Sequence, residues 1–332
     1  MDKVRVLIDT DLGDDVDDAA AFMLALSWGA IEIAGVTTVF KDTKKRAGMV
    51  KDLLALYGRD DIPVCAGYGN PIVGDSRTGF EEPIQYGLLK GRVEPEEHSM
   101  VHAEDFIIQK VKEDRNLIIL AMGAMTNLAM AFLKEPALMR EVRIIGMGGS
   151  FLNSSPEWNI LCDPEAASIV MERSGRLIMM GLDVTKFLRM DEKRLKAWKD
   201  RKDKRMDYFL EGVRLFQEAT GYPVTFHDVL LVAYLIDRRV VTLKKGHFAV
   251  ELSGRLTRGT MVDMTNYYEI NPEVDTDFQF AQSVDLERFY RIVDTYFWGA
   301  PGHVSDRCAS CLMGDLQPKR PVINNERTNG GF

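Results

Sequence analysis

Hydrophobic positions alternate between two spacings along the first two thirds of the chain. Val4–Ile8, Ile31–Val39, Ile62–Ala66, Leu117–Ala121, Val142–Met147 and Arg176–Met180 are short apolar runs. Continuous runs of this kind predict strands buried on both faces. Between them, Asp17–Trp28, Lys44–Leu56, His102–Lys112, Asn127–Leu133 and Pro164–Arg173 carry apolar residues at helical spacing. Strand and helix in alternation predict βαβ units. The expected class is therefore α/β, a Rossmann-like open, mostly parallel sheet with helices on both faces. No repeat is apparent that would indicate a solenoid.

Beyond residue 190 the pattern changes. Residues 191–220 set Leu195, Trp198, Met206, Phe209, Leu210, Val213 and Phe216 among charged residues, which predicts a surface helix pair. Val229–Ile236 predicts a buried helix and Asp285–Trp298 a last amphipathic one. Val240–Leu243, Phe248–Leu252 and Phe278–Ser283 predict strands of a small C-terminal antiparallel addition. We expect one domain over 1–300 and a polar tail over 301–332 with little to pack.

Composition narrows the function classes. A hydrophobic fraction of 46% excludes a disordered chain. The net charge of −8 argues against a nucleic-acid binder, which shows a basic patch. The longest apolar runs, Ala19–Leu26 and Val229–Ile236, fall far short of the roughly 18–20 residues that span a bilayer. The charged N-terminus resembles no signal peptide and four cysteines make no disulfide framework, so the expected location is cytoplasmic. Cys308 and Cys311 have CxxC spacing without a second pair, and read as surface thiols more readily than as half a zinc site.

Six of the 50 acidic residues, Asp9, Asp11, Asp14, Asp15, Asp17 and Asp18, crowd into one loop, and the remainder nearly balances the 42 bases. This loop joins the first strand to the first helix, at the strand's carboxyl end, where open α/β sheets bind ligands. So many carboxylates repel one another unless protons or a cation compensate, and a hard divalent cation is the natural partner. Gly13 permits the tight turn. The competing reading is an ordinary acidic helix start, stabilised by the helix dipole.

Asp9-x-Asp11-x-Gly13 followed by Asp17-Asp18-Ala19 resembles the N-terminal signature of the nucleoside hydrolases, Ca²⁺-dependent N-ribohydrolases of the inosine–uridine-preferring type. Further segments carry the same resemblance: Gly35–Val39, Ala121–Ala129, Met147–Gly149, Glu157–Ala167, Gly181–Thr185 and His227-Asp228. The resemblance implies Ca²⁺ held by Asp11, Asp18, Asp228 and the Thr126 carbonyl, with ribose held by Asp17, Glu157 and Asn159. It implies that Asp11 deprotonates a metal-activated water that attacks C1′, and that His227 protonates the departing base. It also implies a small-molecule nucleoside substrate and a homodimer or homotetramer.

Some positions depart from the family pattern. Leu12 replaces a proline, and two extra residues precede Asp17-Asp18, so Asp14 and Asp15 are alternatives to that pair. Asp42 stands where many members have Asn, within reach of the ribose or its water. The base-recognition segment at about 78–92 lacks the family's His-rich stretch, leaving Phe80 and Tyr86 as base-stacking or lid-packing residues. Trp158 reads as packing. His227 alone would read as a core or capping histidine, and Thr126-Asn127 as a helix cap. Two other functions compete: a Mg²⁺ phosphohydrolase using Asp9 and Asp11, and a non-catalytic nucleoside sensor on the same scaffold.

Overall fold

The computed structural model describes residues 3–74, 82–89, 101–200, 202–265 and 278–297. Ten strands run β1 Val4–Thr10, β2 Ile31–Thr38, β3 Val64–Ala66, β4 Ile118–Ala121, β5 Arg143–Met147, β6 Leu177–Met180, β7 Val241–Lys245, β8 Phe248–Val250, β9 Met261–Asp263 and β10 Gln279–Val284. Eight of them form one sheet in the order β3-β2-β1-β4-β5-β6-β10-β7, parallel except for β7. Strand order reverses between β1 and β4, which lie side by side with Asp9 opposite Ala121. That reversal opens a crevice at the strands' carboxyl ends.

Twelve α-helices and two short 3-10 helices, Tyr86–Leu89 and Arg238–Val240, complete the described chain; the α-helices are α1 Asp17–Ser27, α2 Thr43–Leu56, α3 Ala103–Glu113, α4 Thr126–Lys134, α5 Pro136–Arg140, α6 Trp158–Cys162, α7 Pro164–Arg173, α8 Leu182–Thr185, α9 Glu192–Lys199, α10 Lys204–Thr220, α11 Val229–Ile236 and α12 Leu286–Tyr296. Helices α1, α2, α10, α11 and α12 share one core with the sheet, and α3, α4 and α7 share another on the opposite face. Every residue of α11 is buried, as its unbroken apolar sequence requires. None of the described helices is long and apolar enough to cross a membrane.

The C-terminal strands sort differently from expectation. The runs beginning at Val240 and Phe278 complete the main sheet as β7 and β10, and only β8 with β9 forms the small antiparallel addition. Phe280 and Ala281 pack into opposite cores, so β10 is an interior strand covered on both faces. A short apolar run does not encode which neighbours cover it. Trp298 and the tail bearing Cys308 and Cys311 lie outside the described residues.

Candidate active site

The loop after β1 is built around Arg46, a fully buried guanidinium from α2. Its Nε donates to the Phe40 carbonyl at 2.8 Å, one terminal nitrogen donates to the carbonyls of Asp11 and Leu12, and the other reaches Asp14 at 2.8 Å. Lys41 Nζ meets the same Asp14 carboxylate at 2.9 Å. The two cations outweigh burial and hold Asp14 below its ordinary value. Asp14 is thus a structural counter-ion. Gly13 adopts a φ of +122°, and a Cβ there would come within 2.8 Å of Pro83. Only glycine closes this turn.

Beneath the loop, Asp9 is fully buried and accepts from Thr37 Oγ1 at 2.5 Å and Asn127 Nδ2 at 2.7 Å. Burial pushes its carboxyl to about 7 against those hydrogen bonds. Asn127 also donates to the Thr38 carbonyl and accepts from the Tyr68 amide, tying three strand ends together. It does not act as the α4 cap, which is Met125 without a side-chain bond.

Asp11 lies at the crevice, and its carboxyl is lifted to about 6, chiefly by desolvation and against the pull of Arg46. A Cβ on Gly123 would stand 3.0 Å from the Asp11 Cβ and Cγ, so the loop after β4 passes close because it is glycine. Asp17, Asp18 and Asp228 form the tightest acidic group among the described residues, with one carboxylate oxygen of each within 4.8 Å of the others. All three are buried. Asp17 and Asp18 open α1, and Asp228 precedes α11, so the positive ends of two helices converge here. The Asp228 amide donates to Asp17 at 3.0 Å, and the Thr10 hydroxyl donates to Asp18. Asp228 Oδ1 has no hydrogen-bond partner. Desolvation first, and then repulsion from a neighbouring carboxylate (Asp15 on Asp17, Asp11 on Asp18, Asp17 on Asp228), raise all three carboxyls well above the ordinary range. Asp15 is pushed up to about 6, also mainly by burial.

The loops after β4 and β5 carry Thr126, Glu157 and Asn159, and His227 stands just before α11. Glu157 caps α6, accepting from the amides of Gly149, Asn159 and Ile160 at 3.0, 2.9 and 3.2 Å. Burial nonetheless raises its carboxyl. Asn159 donates to the Met122 carbonyl at 2.9 Å. Thr126 opens α4 and donates its hydroxyl to Asp163 at 2.7 Å. His227 is half-buried, with Nδ1 2.8 Å from Thr185 Oγ1, and desolvation lowers it to about 4. Its imidazole is neutral at physiological pH.

Asp42 caps α2 through the Lys45 amide at 3.0 Å, with Lys45 Nζ at 3.4 Å, apart from the tight acidic group. Trp158 is 49% exposed beside Glu157 and meets Phe40 edge-on, so the packing role expected for it covers only part of the ring. Tyr86 is half-buried against the core, with Lys45 Nζ 4.8 Å from its ring centre. Phe80 lies outside the described residues.

Sequence reasoning missed Arg46, and named Asp183 only within the Gly181–Thr185 segment without giving it a role. Arg46 ends a Lys-Lys-Arg run that reads as solvated surface, and only its burial reveals the role. Asp183 accepts from Ser150, from the amides of Phe151 and Leu152 and from Asn153, which shapes the loop leading to Glu157.

The profile of the family described as inosine-uridine preferring nucleoside hydrolase matches residues 6–291. This chain belongs to that family. It is 30% identical over 310 residues to the inosine-uridine preferring nucleoside hydrolase of Crithidia fasciculata, covering 87% of this chain and 96% of that protein. It is 28% identical over 303 residues to uridine nucleosidase 1 of Arabidopsis thaliana, covering 85% and 90%. The solved structure of a purine-preferring ribonucleoside hydrolase from Gardnerella vaginalis superposes with a TM-score of 0.74 at 27% identity, covering 88% and 98%. The chain is a hydrolase acting on N-glycosyl compounds, and its activity class is ribonucleoside hydrolysis.

Proposed function

We propose that this nucleoside hydrolase uses Ca²⁺ held by Asp11, Asp18, Asp228 and the Thr126 carbonyl, and binds ribose through Asp17, Glu157 and Asn159. The observation that carries the reading is the buried group of Asp17, Asp18 and Asp228, with one orphaned oxygen and no cation paired to it among the described residues. Three buried carboxylates repel one another and lack solvation. Oxygen donors alone suit a hard divalent cation, and Ca²⁺ is the one that the family resemblance implies. The bound ion would supply orientation of a water and a lowered pKa for it.

The protein's own groups account for the remaining steps. Asp11, lifted towards neutrality by burial, accepts a proton from the attacking water. Asp17, Glu157 and Asn159 hold the ribose hydroxyls, and their carboxylates stabilise the oxocarbenium-like charge at C1′ as the N-glycosidic bond breaks. His227, neutral and oriented by Thr185, donates a hydrogen bond from its ring N–H to the departing base, which takes its proton from solvent while Asp11 releases the one gained from the attacking water. Asp42 is assigned a supporting position at the ribose side, through the α2 start it caps. Exposed Trp158 provides a face for a purine or pyrimidine, a choice consistent with the mixed base preferences named for the relatives. A homodimer or homotetramer and a cytoplasmic setting belong to the same reading, supported by the family resemblance.

The phosphohydrolase reading fails on Asp9. Its Oδ1 is taken by Thr37 and Asn127, and its Oδ2, though without a hydrogen-bond partner, is shut away from solvent, so a phosphate ester has no approach to it as a nucleophile.

The electrostatics of the cluster give a test by metal removal. Asp17, Asp18 and Asp228 titrate in the folded state well above the 3.8 of an ordinary aspartate. The metal-free fold therefore retains protons that the unfolded chain has lost, so its stability is fullest below the unfolded value and declines as pH rises through the folded values. Chelator-treated protein should show a melting temperature that falls between about pH 5 and pH 8. Added Ca²⁺ should raise the melting temperature, most at the alkaline end, with release of protons. No rise with Ca²⁺ at any pH contradicts the assigned site.

A further inference from the structure

Opposite the catalytic crevice, at the amino ends of the parallel strands, lies a cavity of about 240 Å³. Four of its lining residues sit at strand starts: Ile118 begins β4, Arg143 begins β5, Arg176 precedes β6 and Gln279 begins β10. Arg238, just beyond the end of α11, brings a third guanidinium. We propose that this cavity is a binding site for a phosphate group, carried by orthophosphate or a small phosphate monoester.

Three arginines share one concavity, all half-buried, and none forms an ion pair among the described residues. Among the described residues no carboxylate lines the cavity. Elsewhere the fold pairs its guanidinium groups readily, as Arg258 with Glu165 and Arg288 with Asp237 show. Desolvation, and then repulsion from Arg176 and Arg238, brings Arg143 down to about 10, which leaves it protonated at neutral pH. The helix dipole at the end of α11 favours Arg238 there, but it accounts for one cation of the three.

The ligand class follows from charge and size. Guanidinium forks match phosphate oxygens in bidentate pairs, and a dianion with several acceptor oxygens satisfies more than one of them, whereas a monocarboxylate satisfies one. Gln279 adds a polar side chain. The volume lies below the roughly 300–1,000 Å³ typical of drug-sized ligands, which suits a phosphate or a compact ester and not a nucleotide. A recessed cavity in a chain of net charge −8 is also no track for nucleic acid.

Isothermal titration of the full-length protein with orthophosphate, and separately with glycerol phosphate, at constant ionic strength tests the site. Saturable binding is expected with a Kd of about 1 mM or tighter. Arg143→Gln and Arg176→Gln should each weaken it by about tenfold or more while nucleoside turnover stays at the wild-type level. Arg238→Gln, beyond the helix end, serves if either strand variant fails to fold. Tighter binding of the monoester assigns the site to an ester, and equal or tighter binding of orthophosphate assigns it to free phosphate. Absence of saturable binding, or binding unchanged in the folded variants, overturns the proposal.

Discussion

Asp11→Asn is expected to lower kcat for nucleoside hydrolysis by about three orders of magnitude, within the range for loss of a general base. Asparagine keeps the shape and removes both the base and a charged metal ligand. The folded state should tolerate it. Asp11 is buried, and its charge is opposed by desolvation and by Asp14 and Glu157, with Arg46 as the main compensation. Steady-state kinetics beside a thermal melt checks both halves. Turnover within tenfold of wild type at an unchanged melting temperature would remove Asp11 from the chemistry.

The largest stability effect is expected at Arg46. Arg46→Met keeps an apolar stem but strips four acceptors of their donor: the carbonyls of Phe40, Asp11 and Leu12 and the Asp14 carboxylate. Removing one member of a buried ion pair costs about 3–5 kcal/mol, because its partner is left uncompensated. Lys41 still faces Asp14, which places the expected loss towards the lower end. The neighbouring backbone adds to the strain, since Phe40 and Lys41 both hold left-handed φ values of 67° and 57°. Their amides are fastened to the Tyr68 and Gly69 carbonyls, and Arg46 fastens the Phe40 carbonyl. Arg46→Lys should rescue little, because an ammonium cannot reproduce the planar fork. Chemical denaturation measures the loss, and a change under about 1 kcal/mol would contradict the anchoring role.

The parallel half of the fold was legible because its strands are continuous apolar runs and its helices carry ordinary signals. Helix α7 spans the Pro164–Arg173 expected of it, with Asp163 as cap and proline in its first turn. The six-acid loop pointed to the crevice for the same reason, since a carboxylate at the end of an apolar strand is out of place on a solvated face. Other features depend on distant partners. Arg46 has the local sequence of a surface residue, and its acceptors lie in two separate stretches of chain, the 11–14 loop and Phe40. Helix α6 is five residues long, too short for periodicity to reveal. The positions of β7 and β10 follow from which strand edge remains free once β6 is in place, a tertiary fact that no short window contains. Within the acidic loop, sequence could not divide the labour. The geometry gives Asp14 to Arg46 and Lys41, Asp9 to Thr37 and Asn127, and brings Asp17 together with Asp18 and Asp228.

The central claim is that a divalent cation on this buried cluster enables cleavage of the N-glycosidic bond. Its most direct test is release of base and ribose from inosine and uridine, with a phosphate monoester in parallel, by wild-type protein in Ca²⁺, after chelation, and after Ca²⁺ is restored. The account predicts base and ribose in equal amounts with Ca²⁺, loss of both on chelation, recovery on restoration, and no phosphate release. Undiminished turnover in the chelated protein, phosphate release without free base, or nucleoside binding without any turnover would contradict it.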